Sequence, residues 1–216
     1  MPSEVADIAL MTDTLGLRDS SSKSAALSSS SLVERARAGD PAAFEELIDC
    51  HQRKVLSTAW RILGNREDAH DAAQEVFLRV HKYLGGFRSH EDFAAWLYRI
   101  IVNVCRDHAR KRGPRHQFTS LESEREDGTF ETLASGEDVE ANAIKAQQRA
   151  LIEQALDTLT TKERAAIVLR DLEGLSTEEV ARALGSSQTT VRTQICSARA
   201  KIKQYRDRVL QRTRRG

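Results

Sequence analysis

Six of the chain's eleven aromatic residues fall close together: Phe77, Tyr83, Phe87, Phe93, Trp96 and Tyr98. Arg79, Lys82, Arg88 and Arg99 are interleaved with them. Rings beside cations suit unpaired nucleic-acid bases, because bases stack on the rings while phosphates meet the charges. The same residues also fit a core: Phe77, Phe93 and Trp96 repeat at a spacing that turns them inward on helices. Phe87 and Arg88 fall in the break between two helical runs, where a packing role explains them less well.

A second segment, STEEVARALGSSQTTVRTQICSARAKI (176–202), has the spacing of a helix-turn-helix. The small side chain of Ala181 lets two helices approach. Gly185 supplies the left-handed turn that a β-carbon opposes. Val191 locks the second helix onto the first, and Val180, Leu184 and Ile195 fill the core between them. Such a second helix enters the major groove of duplex DNA. Its outward face is expected to carry Ser187, Gln188, Thr190, Thr193, Gln194 and Ser197, with Arg192, Arg199, Lys201 and Lys203 adding charge. Polar groups of this kind read base edges, while Arg and Lys hold phosphates. Residues 187–216 hold 9 Lys or Arg against the single acid Asp207. A basic tip of that kind is the electrostatic footprint of a polyanion partner.

These residues need helices to position them, and the sequence provides helical periodicity almost throughout. Pro is rare, at 3 residues, and Ala, Leu, Arg and Glu are abundant, which favours an all-α fold. Residues 1–30 include a Ser-rich stretch that buries little, and read as a disordered extension. Asp40 and Pro41 are the cap and first position of a helix carrying Phe44, Leu47, Ile48, Val55, Leu56, Ala59 and Leu63, which Gly64 ends. A second helix holds Ala69, Ala72, Ala73, Val76, Phe77 and Val80 on one face, up to Gly85-Gly86. A third buries Phe93, Trp96, Leu97, Ile100, Ile101 and Val104 and ends in Arg110-Lys111-Arg112.

Periodicity then fails over residues 114–145, which carry 3 basic and 8 acidic side chains. A loop of that length predicts an acidic flexible linker between two helical domains rather than one domain. Residues 146–210 read as four helices: one marked by Leu151 and Leu156, one capped by Thr160 or Thr161, one capped by Ser176, and one from about Ser187 to Arg208. Residues 211–216 form a basic tail.

The net charge of +1 conceals this asymmetry between segments. No stretch approaches the ~20 apolar residues of a membrane span, and the N-terminal sequence lacks the basic-then-apolar pattern of a secretory signal. The three cysteines, Cys50, Cys105 and Cys196, are far apart and form no metal-binding pattern. A cytoplasmic protein with reduced thiols, no metal, no cofactor and no membrane contact of its own is expected. No histidine pairs with Ser or Cys in a catalytic pattern and no Gly-rich phosphate loop occurs, so an enzyme is the least supported class.

Two blocks with these features resemble the extracytoplasmic-function sigma factors of bacterial RNA polymerase, members of the sigma-70 family. The resemblance rests on GDPAAFEELIDCHQRKVLSTAWRILGNREDAHDAAQEVFLRVHKYL and FAAWLYRIIVNVCRDHARKR in the first block, and on LTTKERAAIVLRDLEGLSTEEVARALGSSQTTVRT in the second. It implies that residues 31–113 are sigma region 2 and residues 146–210 region 4. The implied partners are core RNA polymerase, through its β′ clamp coiled coil and β flap, promoter DNA, and an anti-sigma factor. Asp71, Gln74, Glu75, Phe77 and Leu78 would dock on the coiled coil. Phe87, Arg88, Trp96, Arg99, Asn103 and Arg106 would capture the melted −10 element, where an extruded base needs a pocket. Arg110 and Lys111, with Arg112, would hold its phosphates. Arg170, Ser187, Gln188, Thr190, Arg192, Thr193, Ser197 and Arg199 would meet the −35 duplex. The linker would lie near the RNA exit path.

This sequence departs from the family pattern at His70, where an acid is frequent, and at Gln194 and Ser197, where bases are common. Cys196 stands where a larger side chain is often found. Two other readings compete: a dimeric helix-turn-helix regulator that binds duplex operators without polymerase, and a helical adaptor that binds only proteins.

Overall fold

The structure, a computed structural model, describes residues 31–88, 92–112 and 150–213. The expected N-terminal extension and acidic linker lie outside the described residues. Among the described residues every regular element is helical.

Helix α1 (residues 31–37) ends in a turn through Gly39, whose φ of 92° lies in the region that favours glycine. Asp40 then starts α2 (Pro41–Leu63): its carboxylate accepts from the amides of Ala42 at 3.0 Å and Ala43 at 3.2 Å, with Pro41 at the first helical positions. Arg35 reaches the other carboxylate oxygen at 2.6 Å, and that hydrogen bond, followed by the Ala43 amide, holds the Asp40 carboxyl below its ordinary range. Gly64 closes α2 in the left-handed conformation, donating to the Trp60 carbonyl. Asn65 caps α3 (Arg66–Tyr83), and α4 (Phe93–Arg112) follows a short 3-10 turn at Leu84–Gly86.

Helices α2, α3 and α4 pack together because each carries an apolar stripe at 3.6-residue spacing. Val55, Ala59, Ala72, Val76, Ile101, Val102, Val104 and Cys105 are all fully buried there. A smaller cluster gathers Leu32, Val33 and Ala36 of α1 with Ala43, Leu47, Leu84 and Phe87.

The second block has α5 (residues 150–157), α6 (Thr161–Ile167), a π-helical turn (Val168–Leu172), α7 (Thr177–Leu184) and α8 (Gln188–Thr213). Both α6 and α7 begin in a capping box, Thr160 with Glu163 and Ser176 with Glu179, so that side chain and backbone satisfy each other's polar groups reciprocally. Gly185 ends α7 at φ 60°. Helix α8 runs past the expected end near Arg208, so residues 211–213 of the expected tail are helical.

The sequence predicts two helical domains. The two blocks are present, and they share one hydrophobic core: Ile167, Val168, Leu169, Leu175, Val180 and Leu184 belong to the same cluster as Val55, Leu97 and Ile101. Helix α7 lies along α4, and α6 meets α2.

Candidate nucleic-acid interface

The first candidate surface is a stripe along α4. Trp96, Arg99, Asn103, Arg106 and Arg110 follow one another at three- and four-residue steps, which places them on one helical face. Arg99, Asn103, Arg106 and Arg110 are exposed and Trp96 is half-buried. The tail of α4 adds Lys111, also exposed, whereas Arg112 is paired with Asp68 of α3. Arg106 donates to the carbonyl of Leu184 at 3.1 Å, and Arg110 to Asp107 at 3.1 Å.

Phe87 differs from the expectation that its ring meets a base. It is 5% exposed and packs edge-on to Phe93 (centroids 5.7 Å apart) and tilted against Trp96 (5.2 Å). Offset and edge-to-face ring contacts of this kind are favourable beyond the area they bury. Phe87 therefore supports Trp96 from beneath, and Arg88 beside it is exposed.

The second surface is the outward face of α3. Asp71 and Gln74 are exposed, and Leu78 is 70% exposed. These three follow at three- and four-residue steps and give one face an acid, an amide and a bare apolar side chain. Phe77 is half-buried against the core. Glu75 accepts from Arg79 at 2.5 Å and lies 3.0 Å from the His108 ring nitrogen. Burial opposes its charge, but the His108 and Arg79 contacts outweigh it and hold its carboxyl below the usual range. Arg79 also reaches Asp107 at 3.0 Å, so the group ties α3 to α4.

The third surface is the start of α8. The Ser187 hydroxyl accepts from the Thr190 amide at 3.1 Å and lies 2.8 Å from the Thr190 hydroxyl, which makes Ser187 the cap of the helix. Ser187, Gln188, Thr189, Thr190, Arg192, Thr193 and Cys196 are exposed. Arg192 donates to Gln188 at 3.4 Å, and Thr193 bonds back to the Thr189 carbonyl.

Three residues expected on this surface are engaged elsewhere. Ser197 donates to Glu163 at 2.5 Å, facing α6. Arg199 grips Asp171 through two hydrogen bonds, at 2.8 and 3.1 Å. Arg170 is braced on the Leu175 carbonyl at 2.9 Å. On α8, Arg199 falls four residues after Ile195 and Lys201 three after Ala198, so the buried stripe carries them toward the π turn and α6, while Arg170 belongs to the π turn itself.

Sequence reasoning missed Glu163 and Glu173. Glu163 accepts from Lys201 at 2.7 Å, from Ser197 and from Thr160. Burial alone would raise its carboxyl, but the Lys201, Ser197 and Thr160 hydrogen bonds bring it down to about 2. The Thr160-x-x-Glu163 spacing was the available signal. No sequence signal marks Glu173, whose partners are supplied by tertiary packing.

Among the described residues no group of His, Cys, Asp and Glu is arranged to hold a metal ion, and no helix is long and apolar enough to cross a membrane. Cys50 and Cys196 are exposed, while Cys105 is buried and its thiol is pushed up to about 12, chiefly by that burial.

Residues 47–115 match the family model for sigma-70 region 2, and residues 149–202 match that for sigma-70 region 4. The chain is 34% identical over 174 residues to the RNA polymerase sigma-H factor of Pseudomonas aeruginosa, covering 79% of this chain and 90% of that protein. It is 31% identical to the ECF RNA polymerase sigma factor SigW of Bacillus subtilis, covering 81% and 95%, and 32% identical to the sigma-E factor of Escherichia coli K12, covering 79% and 90%. Among solved structures it resembles CnrH in complex with the cytosolic domain of CnrY, with a TM-score of 0.57, 28% identity and coverage of 82% and 96%. The sigma factor RpoE of Bartonella quintana, solved with the anti-sigma factor NepR, shares the fold at a TM-score of 0.56, 21% identity and coverage of 76% and 96%.

Proposed function

The chain belongs to the extracytoplasmic-function sigma factors of the sigma-70 family, and from that premise we propose how its surfaces divide the work of promoter recognition. It binds core RNA polymerase and directs promoter-specific initiation of transcription. No catalytic step is assigned to its own residues.

Residues 31–113 form the unit for core polymerase and the −10 element, and residues 146–210 the unit for the −35 element. The α3 face of Asp71, Gln74 and Leu78 docks on the polymerase clamp, with Glu75 and Phe77 setting its edge. The bare apolar surface of Leu78 supports this, because exposed apolar groups gain most from a partner helix. The α4 stripe of Trp96, Arg99, Asn103 and Arg106, with Arg88, Arg110 and Lys111, takes the melted −10 strand. Phe87 holds Trp96 in place for it. The head of α8, with Ser187, Gln188, Thr190, Arg192 and Thr193, enters the −35 major groove. Ser197 and Arg199 brace that helix from behind, and Arg170 holds the Leu175 carbonyl ahead of α7.

The single observation that carries this reading is the α4 stripe, where one ring and a row of cations share a face with an amide side chain between them. Single-stranded DNA is bound by that combination of stacking and charge. An anti-sigma factor is the further partner proposed, because RpoE of Bartonella quintana, which shares the fold, is solved with the anti-sigma factor NepR, and the similar CnrH with the cytosolic domain of CnrY.

The test uses polymerase holoenzyme assembled with variants. Leu78→Ala is expected to weaken assembly with core enzyme and leave DNA contacts intact once assembled. Arg99→Ala with Asn103→Ala is expected to leave assembly unchanged and to slow promoter opening. If both variants assembled and opened promoters like the parent, this division of surfaces would be wrong.

A further inference from the structure

Glu173 ends the π turn of the second block, yet its carboxylate is satisfied by the first. One oxygen accepts from the Thr58 hydroxyl and from Arg61, both at 3.0 Å, and the other from the Tyr98 hydroxyl at 2.7 Å. The Glu173 side chain is 6% exposed, Thr58 is fully buried and Tyr98 is 4% exposed. Burial, then the Glu173 charge, pushes the Tyr98 phenol well above its ordinary range, so it stays a donor. A buried carboxylate with three donors from α2 and α4 is a specific seat, since an unpaired charge at that depth would be costly.

Two other contacts flank it. Arg164 of α6 donates to the Arg61 carbonyl at 2.5 Å and lies over Gly64, where a β-carbon would stand 3.0 Å from its guanidinium. Arg106, in the stripe on α4, is committed to the Leu184 carbonyl at the end of α7. That carbonyl lies at the negative end of a helix, which favours a cation. The α4 stripe is therefore partly spent on the chain's own second block.

The geometry points to Glu173 as a latch: in the chain without polymerase it holds the second block on the first, keeps Arg106 tied to the Leu184 carbonyl, and is released when polymerase draws the two blocks apart. A buried ion pair suits a reversible latch. Its attraction is largely offset by the cost of stripping water from the charges, and opening returns that hydration. The functional consequence rests on α4 reading the melted strand, but the latch does not.

The two exposed thiols give a direct readout, because Cys50 lies on α2 and Cys196 on α8 while Cys105 is buried. Spin labels on Cys50 and Cys196 of the full chain report the distance between blocks by pulsed electron resonance. The parent protein is expected to give one narrow distance, and addition of core polymerase a longer one. Glu173→Ala is expected to raise the open fraction by about tenfold, the size set by losing charge-assisted hydrogen bonds. Tyr98→Phe, which removes one donor and keeps the ring, is expected to shift the same distribution less, and circular dichroism checks that both variants remain helical. A broad distribution in the parent, or the parent distribution retained in both helical variants or with polymerase bound, would overturn the latch. The distances require no promoter, so a chain that opens as described but fails to start transcription would sink the promoter reading and leave the latch standing.

Discussion

Arg192 and Arg199 are two cations of one helix with opposite surroundings. Arg192 is exposed and donates one long hydrogen bond to Gln188, whereas Arg199 is held by two hydrogen bonds to Asp171. Arg192→Ala is expected to weaken −35 duplex binding by holoenzyme and to lower the dependence of that binding on salt, since one phosphate contact fewer releases fewer counterions. Arg199→Ala is expected to lower the melting temperature and to leave the salt slope nearly unchanged. Binding titrations at several salt concentrations, with melting curves, separate the two. Glu163 carries a pH prediction. Its carboxyl is about 2 in the fold against an ordinary 4.5, so its contribution is fully present above about pH 4.5 and is lost as pH falls toward 2. Glu163→Gln is expected to be less stable at neutral pH and to lose less stability than the parent across that acid window, as measured by denaturant midpoints. At this scale the sequence was informative where a residue acts locally. Asp40 as a cap and Gly185 as a left-handed turn were legible from type and spacing. Phe87, Arg199 and Glu173 were not, because burial and ion pairing depend on what another helix brings opposite them.

Helix ends in this chain are specified by side chains and by glycine. Gly64 and Gly185 both have positive φ, at 80° and 60°. A β-carbon at Gly185 meets nothing within 4 Å, so Gly185→Ala is expected to cost about 1 kcal/mol from backbone strain alone. At Gly64 the β-carbon would also crowd Arg164, so Gly64→Ala is expected to cost more and to loosen α6 from α2. The ranking, read from denaturant midpoints, is the check. Removing the Ser176 hydroxyl in Ser176→Ala is expected to cost about 1 kcal/mol through loss of the α7 cap. The helices themselves were legible because their apolar stripes repeat at 3.6 residues. The π turn at Val168–Leu172 was not, since a single wide turn changes no residue type. It nevertheless sets three side chains on three partners: Arg170 on Leu175, Asp171 on Arg199, and Glu173 on the first block.

The whole molecule joins a block that matches sigma-70 region 2 to a block that matches region 4. The sequence showed the two blocks through their separate charge and periodicity, and it showed the helix-turn-helix through Ala181, Gly185 and Val191. It could not show that Leu169 and Val180 share a core with Val55 and Ile101, because apolar stripes do not name their partners. That shared core sharpens the functional account. Promoter recognition by both blocks at once requires polymerase to hold them at the spacing of two DNA elements, whereas in this structure they pack on one shared core. A duplex operator binder would need no such help. Run-off transcription with purified core enzyme and a promoter-bearing template decides the point. A promoter-dependent transcript that appears only when this chain is added is the predicted result. Tight binding of the chain alone to duplex DNA, with no transcript in the presence of core enzyme, would contradict it.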